Sequence, residues 1–309
     1  MILKDWDQSW RILAEQELGL LLDCNLSDKH REQIQKELGM MRSGNHQEKN
    51  TAHYLNIRFR KNKNWVVLHD LRLDDDGDVA QIDHLLINRV LDFFVLDSKG
   101  YHNRTVRITD SGDFYTEDDG EKKRIASPLA QNDRHILVLK RALEEHDIVP
   151  KRPFAPDFHN YILFSPTTEI LKPEKKSKEM GGVMHADLFY KEIERIKNKN
   201  AFSAFFENFR KVSSVISQES LLRMGEALLQ LHQPQQRPNY RKRFGITDPE
   251  LQPAPKAPPS IKEYYCYTCK DNITKEEADF CFTRKEQFLG RAYCRKHQQQ
   301  FSAKKHSPA

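Results

Sequence analysis

The sequence predicts an α/β protein in which helices flank a mixed β-sheet, followed by a small cysteine-rich module. Apolar runs with period-two alternation at residues 65–73 and 79–99 predict strands. Apolar stripes at helical spacing before and after these runs predict helices. Four of the five cysteines crowd between residues 266 and 294, which predicts a separate module.

The chain begins with a predicted N-terminal helical segment, residues 1–44. A helical stripe over residues 4–22 consists of Trp6, Trp10, Leu13 and Glu17. Residues 28–41 continue with Ile34 and Leu38 in a polar background, so we expect a pair of helices.

An acid then lies on the apolar stripe of the next predicted helix. That stripe consists of Glu48, Ala52, Leu55 and Phe59. One interpretation is a carboxylate at the edge of the stripe, close to the positive end of the helix dipole. The other is that Glu48 points into a functional site, and the motifs downstream favour this one.

The first long strand, residues 65–73, is followed by four aspartates around Gly77. We reject a calcium-binding loop, because Leu85 stands where the EF-hand pattern requires glutamate. The segment is predicted to be a turn.

Two neighbouring strands each carry an acid that an ordinary strand would not favour. Period two places Gln81, Asp83 and Leu85 on one face and Val95, Asp97 and Lys99 on one face. If these strands are adjacent, two carboxylates and an ammonium converge, a set suited to a divalent metal and a water that attacks phosphate.

A simple exposed ion pair between Asp97 and Lys99 is the alternative, worth less than about 1 kcal/mol. Acid-x-Lys triplets also occur at residues 121–123 and 174–176, in polar stretches. Only the triplet 97–99 ends an apolar strand and follows a second strand with its own inward acid, so its context carries the assignment.

Further along, residues 104–109 and 113–116 are predicted to form a hairpin. Ser127 as N-cap and Pro128 at the first helical position begin a helix to about Leu143, from which Gln131 points back at the sheet. The remaining expected elements are a strand at residues 161–164 and helices at residues 187–197 and 202–231.

These motifs, taken in order, resemble the nuclease-related domain, a branch of the PD-(D/E)XK nuclease-like superfamily. The resemblance is carried by Gln47-Glu48-Lys49, Gln81-Ile82-Asp83-His84, Asp97-Ser98-Lys99 and Ser127-Pro128-Leu129-Ala130-Gln131-Asn132. It covers residues 45–145 well and extends more loosely to about residue 232, so 45–232 is the expected domain with its helical extension.

The resemblance implies a restriction-endonuclease-like mixed sheet and a catalytic Mg²⁺ or Mn²⁺. It also implies a metal and catalytic set of Glu48, Asp83, Asp97 and Lys99, with Gln131 as a supporting polar group. Two positions depart from the family pattern. Asp97 replaces the usual glutamate, which shortens the ligand arm by one methylene, and Gln47 stands where glycine is usual.

Residues 233–262 are rich in proline and basic residues and are predicted to form an extended linker. Arg241, Lys242 and Arg243 are candidates for contact with nucleic acid, since basic and aromatic residues alternate there. A solubilising tether is the competing interpretation.

Cys266, Cys269, Cys294 and His297 form two pairs with ligands three residues apart, which predicts a structural Zn²⁺ in a module of residues 263–300. Cys281 is interpreted as a small buried hydrophobe. A disulfide framework would require export. A basic tail, residues 301–309, follows.

Composition sets outer bounds on location and partners. Lys and Arg exceed Asp and Glu by only 50 to 45, so that local clusters must carry any nucleic-acid contact. No run approaches 18 apolar residues and the start lacks a signal-sequence pattern, so we expect a soluble cytoplasmic protein with no membrane contact.

The expected function is metal-dependent hydrolysis of phosphodiester bonds in nucleic acid, with DNA as the expected substrate. The alternative is a non-catalytic module that binds nucleic acid or a protein partner, for example through the zinc module. A third interpretation makes the chain a subunit of a DNA-processing or defence assembly, in which cleavage is conditional on the partner. The sequence has no Walker-type phosphate loop, so an ATP-driven step would come from another chain.

Overall fold

The computed structural model describes residues 1–101, 103–118, 120–151, 155–174, 179–202, 215–235, 238–252 and 264–302. It divides into two compact units, Met1–Pro253 and Ala254–Ala309. Each unit is described by itself below.

The larger unit contains ten described strands. They are β1 (Ile2–Lys4), β2 (Trp65–Asp75), β3 (Asp78–Asn88), β4 (Asp92–Lys99), β5 (Thr105–Ile108), β6 (Phe114–Asp118), β7 (Glu121–Ile125), β8 (Asp157–Phe164), β9 (Glu169–Leu171) and β10 (Val183–His185). Six of them form one sheet in the order β1-β2-β3-β4-β8-β10. The pairs among β2, β3 and β4 are antiparallel and the others parallel, which confirms the predicted mixed sheet.

Helices cover both faces of this sheet. Those of the larger unit are α1 (Ser9–Leu22), α2 (Asp28–Phe59), α3 (Pro128–Glu145), α4 (Phe189–Phe202), α5 (Gln218–Gln230) and α6 (Tyr240–Phe244). On one face, Leu85 and Val95 pack with Leu139 of α3 and Leu221 of α5. On the other face, Leu86 and Phe94 pack with helices α2 and α4.

Helix α2 is one continuous helix, where two separate helices had been expected. Ser27 caps its start by accepting a hydrogen bond from the His30 N–H. No proline interrupts residues 28–59, and each glycine in the helix costs only about 1 kcal/mol. The apolar pattern of residues 28–41 and that of residues 48–59 therefore continue in a single helix.

Three further local expectations need correction. Residues 2–4 form a strand that pairs with β2, although no strand was expected before the first helix. The expected 104–116 hairpin is present and gains a third strand, β7, whose charged sequence Glu-Lys-Lys-Arg-Ile shows no apolar alternation. The described part of the helix expected at residues 202–231 is α5, while residues 203–214 lie outside the described residues.

The extended linker expected for residues 233–262 is wrong for residues 240–251. Tyr240 of α6 is 1% exposed and packs with Leu18 of α1 and Leu38 of α2. Glu250, in a 3₁₀ turn, accepts hydrogen bonds from the Ser27 N–H and from Thr247. Hydrogen bonds to the Glu250 side chain and the burial of Tyr240 therefore dock this segment. The expected linker from residue 253 and the basic tail from residue 303 lie outside the described residues.

The smaller unit is a short module built around a few buried side chains. Its described elements are β11 (Tyr264–Tyr265), β12 (Asn272–Ile273), α7 (Lys275–Thr283), α8 (Lys285–Phe288) and α9 (Arg295–Ser302). Cys266, Ile273, Cys281 and Phe288 form the centre of its core.

None of the described helices combines the length and the apolar composition needed to cross a lipid bilayer.

Candidate functional site

Strands β3 and β4 bring Asp83 and Asp97 face to face. His84 pairs with Leu96 in the antiparallel register, so continuing that register by one residue places Asp83 opposite Asp97. The Asp83 Oδ2 accepts a 2.7 Å hydrogen bond from the Ser98 N–H, which ties the carboxylate of one strand to the backbone of the other.

Lys99 lies at the end of β4 and closes the cluster. Its Nζ is 2.9 Å from the Asp97 Oδ2 and donates a 3.4 Å hydrogen bond to the Gln131 Oε1. Gln131 occupies the first turn of α3, which is fixed by the Ser127 hydroxyl accepting from the Ala130 N–H. The structure thus brings together Asp83, Asp97, Lys99 and Gln131, as the sequence led us to expect.

Glu48 reaches this region from helix α2. Its Oε2 accepts a 2.6 Å hydrogen bond from Arg11 and a 3.2 Å hydrogen bond from the indole N–H of Trp6. Arg11 also donates to the Asp70 Oδ1 at 3.2 Å and thereby bridges two carboxylates.

Sequence reasoning missed Arg11. The helical stripe predicted from the sequence for α1 includes Leu13, which is 50% exposed. The residues of α1 that the structure buries are Arg11, Ala14, Leu18 and Leu21, a stripe at the same helical spacing in another phase. A charged residue on that second stripe is the sequence signal that could have identified Arg11 as a functional residue.

Asp70 was also missed, although it too is an acid inside an apolar strand. It stands between the pairs His69–His84 and Leu71–Ile82, so that it lies opposite Asp83 in the register of β2 and β3. Three aspartates therefore form a row across neighbouring strands. Asp70 adopts a φ of 54°, in the left-handed region that an aspartate tolerates only at some cost.

Asp70 is held by more than Arg11. Its Oδ1 accepts a 2.7 Å hydrogen bond from the Gln81 side chain, and Lys4 of β1 lies 3.5 Å from its Oδ2. Four carboxylates, those of Glu48, Asp70, Asp83 and Asp97, thus share the region with the cations of Lys4, Arg11 and Lys99.

Burial, above all, raises the pKa values of Asp83, Glu48 and Asp97. Burial raises the pKa of Asp83 well above its usual value, and the Glu48 and Asp97 carboxylates raise it further. Burial also raises the pKa of Glu48 and of Asp97, which Arg11 and Lys99 respectively offset only in part. Such a set of crowded carboxylates favours the binding of a cation.

The donor set fits a hard divalent cation, since Mg²⁺ and Mn²⁺ take carboxylate oxygens. The Asp97 Oδ2 is buried and has no hydrogen-bond partner, although Lys99 lies beside it. Within the described residues, no three of these carboxylates bring oxygen atoms within 4.8 Å of one another. An ion held by three of them would therefore require rotation of their side chains.

A cavity of about 280 Å³ adjoins this region and is lined by Arg11, Glu48, Gln81 and Arg243, among others. Arg243 is one of the three basic residues expected to contact nucleic acid, and it forms a bidentate pair with Glu37 at 2.8 and 3.0 Å. Lys242 and Arg241 do not line this cavity, and Arg241 pairs with Asp248.

On the opposite side of β3, His84 belongs to a buried hydrogen-bonded chain. Its Nε2 lies 3.1 Å from the Ser98 hydroxyl and its Nδ1 lies 2.8 Å from the Nδ1 of His69. The Nε2 of His69 lies 3.0 Å from the Asn56 Oδ1. His84 therefore faces away from Asp83, as the period-two pattern had indicated.

In the smaller unit, Cys266, Cys269, Cys294 and His297 place one ligand atom each within 4.8 Å of all the others. The His297 Nδ1 lies 3.4 Å from the Cys266 sulfur and 3.2 Å from the Cys294 sulfur, and the Cys269 and Cys294 sulfurs are 4.0 Å apart. Tetrahedral zinc with usual bond lengths separates its ligand atoms by about 3.5–3.8 Å. The cluster is thus compatible with zinc.

Cys281 takes no part in this cluster. It is fully buried, and its sulfur accepts a 3.3 Å hydrogen bond from the Tyr293 N–H. This agrees with its interpretation as a small core residue.

Comparison with known proteins supports the resemblance given by the motifs. Residues 43–165 match the family model of the nuclease-related domain, a span that contains Glu48, Asp70, Asp83 and Asp97. Neither a curated protein nor a solved structure matches the chain. Residues 43–165 are thus the part of this chain that is similar to the nuclease-related domain.

Proposed function

We propose that the protein is a metal-dependent nuclease that hydrolyses phosphodiester bonds, with DNA as its substrate. The observation that carries the proposal is the meeting of Asp83, in the middle of β3, with Asp97 and Lys99 at the end of β4, inside the matched domain. Glu48 joins this region from α2, because Arg11 bridges it to Asp70, which lies opposite Asp83 in the register of β2 and β3.

In this proposal Glu48, Asp83 and Asp97 hold Mg²⁺ or Mn²⁺. The ion, when bound, supplies Lewis-acid activation of the phosphoryl oxygen. The Ser98 N–H orients one oxygen of Asp83 and leaves the other for the ion. Gln131 accepts a hydrogen bond from the Lys99 ammonium and keeps it beside Asp97. An amide such as that of Gln131 does not act as a base.

Lys99 acts as a cation in this mechanism. Burial by itself would lower its pKa, but the Asp97 and Asp83 carboxylates outweigh burial and raise it. The side chain therefore stays an ammonium and stabilises the negative charge that grows on the phosphate as water attacks phosphorus and the bond to the leaving oxygen breaks.

The smaller unit has a separate role in this proposal. Its cysteine and histidine ligands hold a structural Zn²⁺, which replaces the large core that so short a module lacks. The module then offers a surface to a protein partner. Free thiols as ligands require a reducing compartment, so we place the protein in the cytoplasm.

A binding module without activity is the second candidate. It is favoured by one observation, the 2.6 Å contact of Arg11 with Glu48, because a cation already neutralises that carboxylate. In this alternative the fold keeps a nucleic-acid groove and works within a larger assembly.

A single panel of substrates separates the two functions. The full chain is incubated with plasmid, linear duplex, single-stranded DNA and RNA in Mg²⁺, in Mn²⁺ and in EDTA. We expect cleavage of DNA that depends on the divalent ion and is lost in Asp97→Asn. Binding of DNA with no cleavage in either ion would support the binding module instead.

A further inference from the structure

Two side chains from the N-terminal segment contact Glu48, and both precede the matched domain. Trp6 lies in the segment between β1 and α1, and Arg11 lies in the first turn of α1. The nuclease-related match begins only at residue 43. The surroundings of Glu48 are therefore completed by a part of the chain that the family match does not include.

Several contacts hold the two terminal nitrogens of the Arg11 guanidinium. Its guanidinium donates to the Asp7 carbonyl at 2.7 Å, to Glu48 at 2.6 Å and to Asp70 at 3.2 Å. It also lies over the rings of Trp6 and Trp10, at 5.3 and 4.8 Å from their centroids. Arg11 is only 4% exposed, so it is poorly placed to move onto a substrate phosphate.

Asp70 anchors the other edge of this guanidinium. It meets Arg11 through both carboxylate oxygens, at 3.2 and 3.4 Å, and holds the strained φ of 54° while doing so. A backbone held in that region needs surrounding interactions that fix it. Asp70 lies opposite Asp83 in the strand register, and its hydrogen bonds hold Arg11 beside Glu48.

The two donors select one oxygen of Glu48. Arg11 and the Trp6 indole both donate to Oε2, so neither of these hydrogen bonds involves Oε1. Carboxylates that bind metals are commonly held in this way by hydrogen bonds from residues that do not touch the ion.

We propose that Arg11 and Trp6 are positioning residues that orient Glu48 for a divalent ion, so that the site of this chain is incomplete without its N-terminal segment. The inference rests on the proposed function, since it requires that Glu48 help to hold the ion. It predicts the direction of an effect: loss of Arg11 weakens metal binding. A cation that merely competed with the metal would give the opposite result.

The test measures Mn²⁺ affinity by titration calorimetry on the full, zinc-loaded chain. Loss of an outer partner of a metal ligand commonly costs 10- to 100-fold in affinity, so we expect Arg11→Gln to weaken Mn²⁺ binding by about that factor. Arg11→Lys should recover part of the loss, because it keeps the charge without the fork of donors. Trp6→Phe keeps the ring and removes one hydrogen bond, which should weaken binding by about fivefold.

Arg31→Gln is the matched control. Arg31 donates to the Leu22 and Cys24 carbonyls and so holds α1 against α2 without touching the acidic cluster. Its loss should leave the affinity for Mn²⁺ unchanged. A general loosening of the N-terminal helices would instead weaken binding in this variant as well, and would overturn a specific role for Arg11.

Unchanged or tighter Mn²⁺ binding in both Arg11→Gln and Trp6→Phe overturns the inference, provided that the parent binds Mn²⁺ and Asp97→Asn does not. If Arg11→Gln does not melt cooperatively, the Mn²⁺ affinity of Trp6→Phe decides whether the inference holds. A parent chain that binds no Mn²⁺ beyond its zinc site overturns the proposed function, and this inference with it.

Discussion

His69 and His84 are the least expected residues of the sheet, two buried imidazoles in mutual contact. The Asn56 amide donates to Asp5, so its oxygen accepts from the His69 Nε2–H. The His69 Nδ1 then accepts from His84, whose Nε2 accepts from the Ser98 hydroxyl. Every bond in this chain is satisfied only when both imidazoles are neutral.

Burial of His69 makes the stability of the protein depend on pH. Burial, chiefly, lowers the pKa of His69 to about 4 from an ordinary 6.5. Lys4 and Arg60 lower it as well, while Asp5 and Asp70 work against them. The unfolded chain therefore takes up a proton first as the pH falls.

We expect the free energy of unfolding to fall by about 3 kcal/mol between pH 6.5 and pH 4 on account of His69, because the shift is about 2.5 pH units. Burial also lowers the pKa of His135 to about 4 and that of His84, which adds to the same slope. Urea unfolding at several pH values measures it. His69→Gln should flatten the slope, whereas a matched change at the exposed His53, His53→Gln, should not.

At the scale of single residues, the sequence predicts those residues whose position follows from strand periodicity. Asp83, Asp97 and Lys99 meet because alternation and adjacency determine where each side chain points. Arg11 and Asp70 could not be predicted in the same way. Their contact joins residues 59 positions apart, and depends on how α1 docks and on a left-handed residue within β2.

At the scale of elements, α5 covers the sheet by close approach of its backbone. A Cβ added to Gly225 would lie 2.6 Å from the Leu3 Cδ1 and 2.7 Å from the Val66 Cγ1. Val66 is branched at Cβ and lies in the first long strand of the sheet, so it has little freedom to move.

Gly225→Ala should therefore lower the free energy of unfolding by about 1–3 kcal/mol through overpacking. Gly39→Ala is the matched control in another helix, where an added Cβ would have no neighbour within 4 Å. That change should raise stability by about 0.5–1 kcal/mol, since it removes the flexibility of glycine. Equal effects of the two changes in chemical denaturation would contradict the docking of α5 described here.

The smaller unit combines a small core with a cluster of three cysteines and one histidine that could hold zinc. We expect the full chain to carry about one zinc per molecule and the Cys266→Ser/Cys294→Ser double variant to carry none, because the remaining ligands cannot close a tetrahedral site. Cys281→Ala is the control and should keep its zinc, since Cys281 lies outside the ligand set. Elemental analysis after washing with chelator measures this, and zinc retained in the double variant would refute the assignment.

The spacing predicts that Cys266, Cys269, Cys294 and His297 cluster, because the two members of each pair lie three residues apart. The segment 240–251 was not predicted as helix or turn. Its prolines and basic residues are typical of a linker. The burial of Tyr240 and Ile246 against α1 and α2, and the hydrogen bond from the Ser27 N–H to Glu250, distinguish it from one.

At the scale of the whole molecule, the larger unit extends well beyond the matched residues 43–165. Strand β1 and helix α1 come from before the match, while β10, α4, α5 and α6 come from after it. These added segments supply an edge strand on each side of the sheet and helices on both of its faces. The matched domain alone would leave apolar surface exposed.

Truncation tests where the larger unit ends. A chain that stops at Gln252 should melt cooperatively at the temperature at which the larger unit melts in the full chain. A chain that stops at Leu231 loses Tyr240 and Ile246 from their cluster with α1 and α2, and should lose more than about 3 kcal/mol of stability. Equal melting temperatures for the two truncated chains would contradict the docking of residues 240–251.

The most direct test of the proposed nuclease site is the initial rate of plasmid cleavage in Mn²⁺ for single variants. Asp83→Asn and Asp97→Asn should each abolish cleavage and Mn²⁺ binding together, whereas Lys99→Met should lower the rate by about 10²–10³-fold and spare Mn²⁺ binding. Glu121→Gln, in the exposed acid-x-Lys triplet of β7, should cleave like the parent. Cleavage at the parental rate in Asp83→Asn and Asp97→Asn would contradict the account.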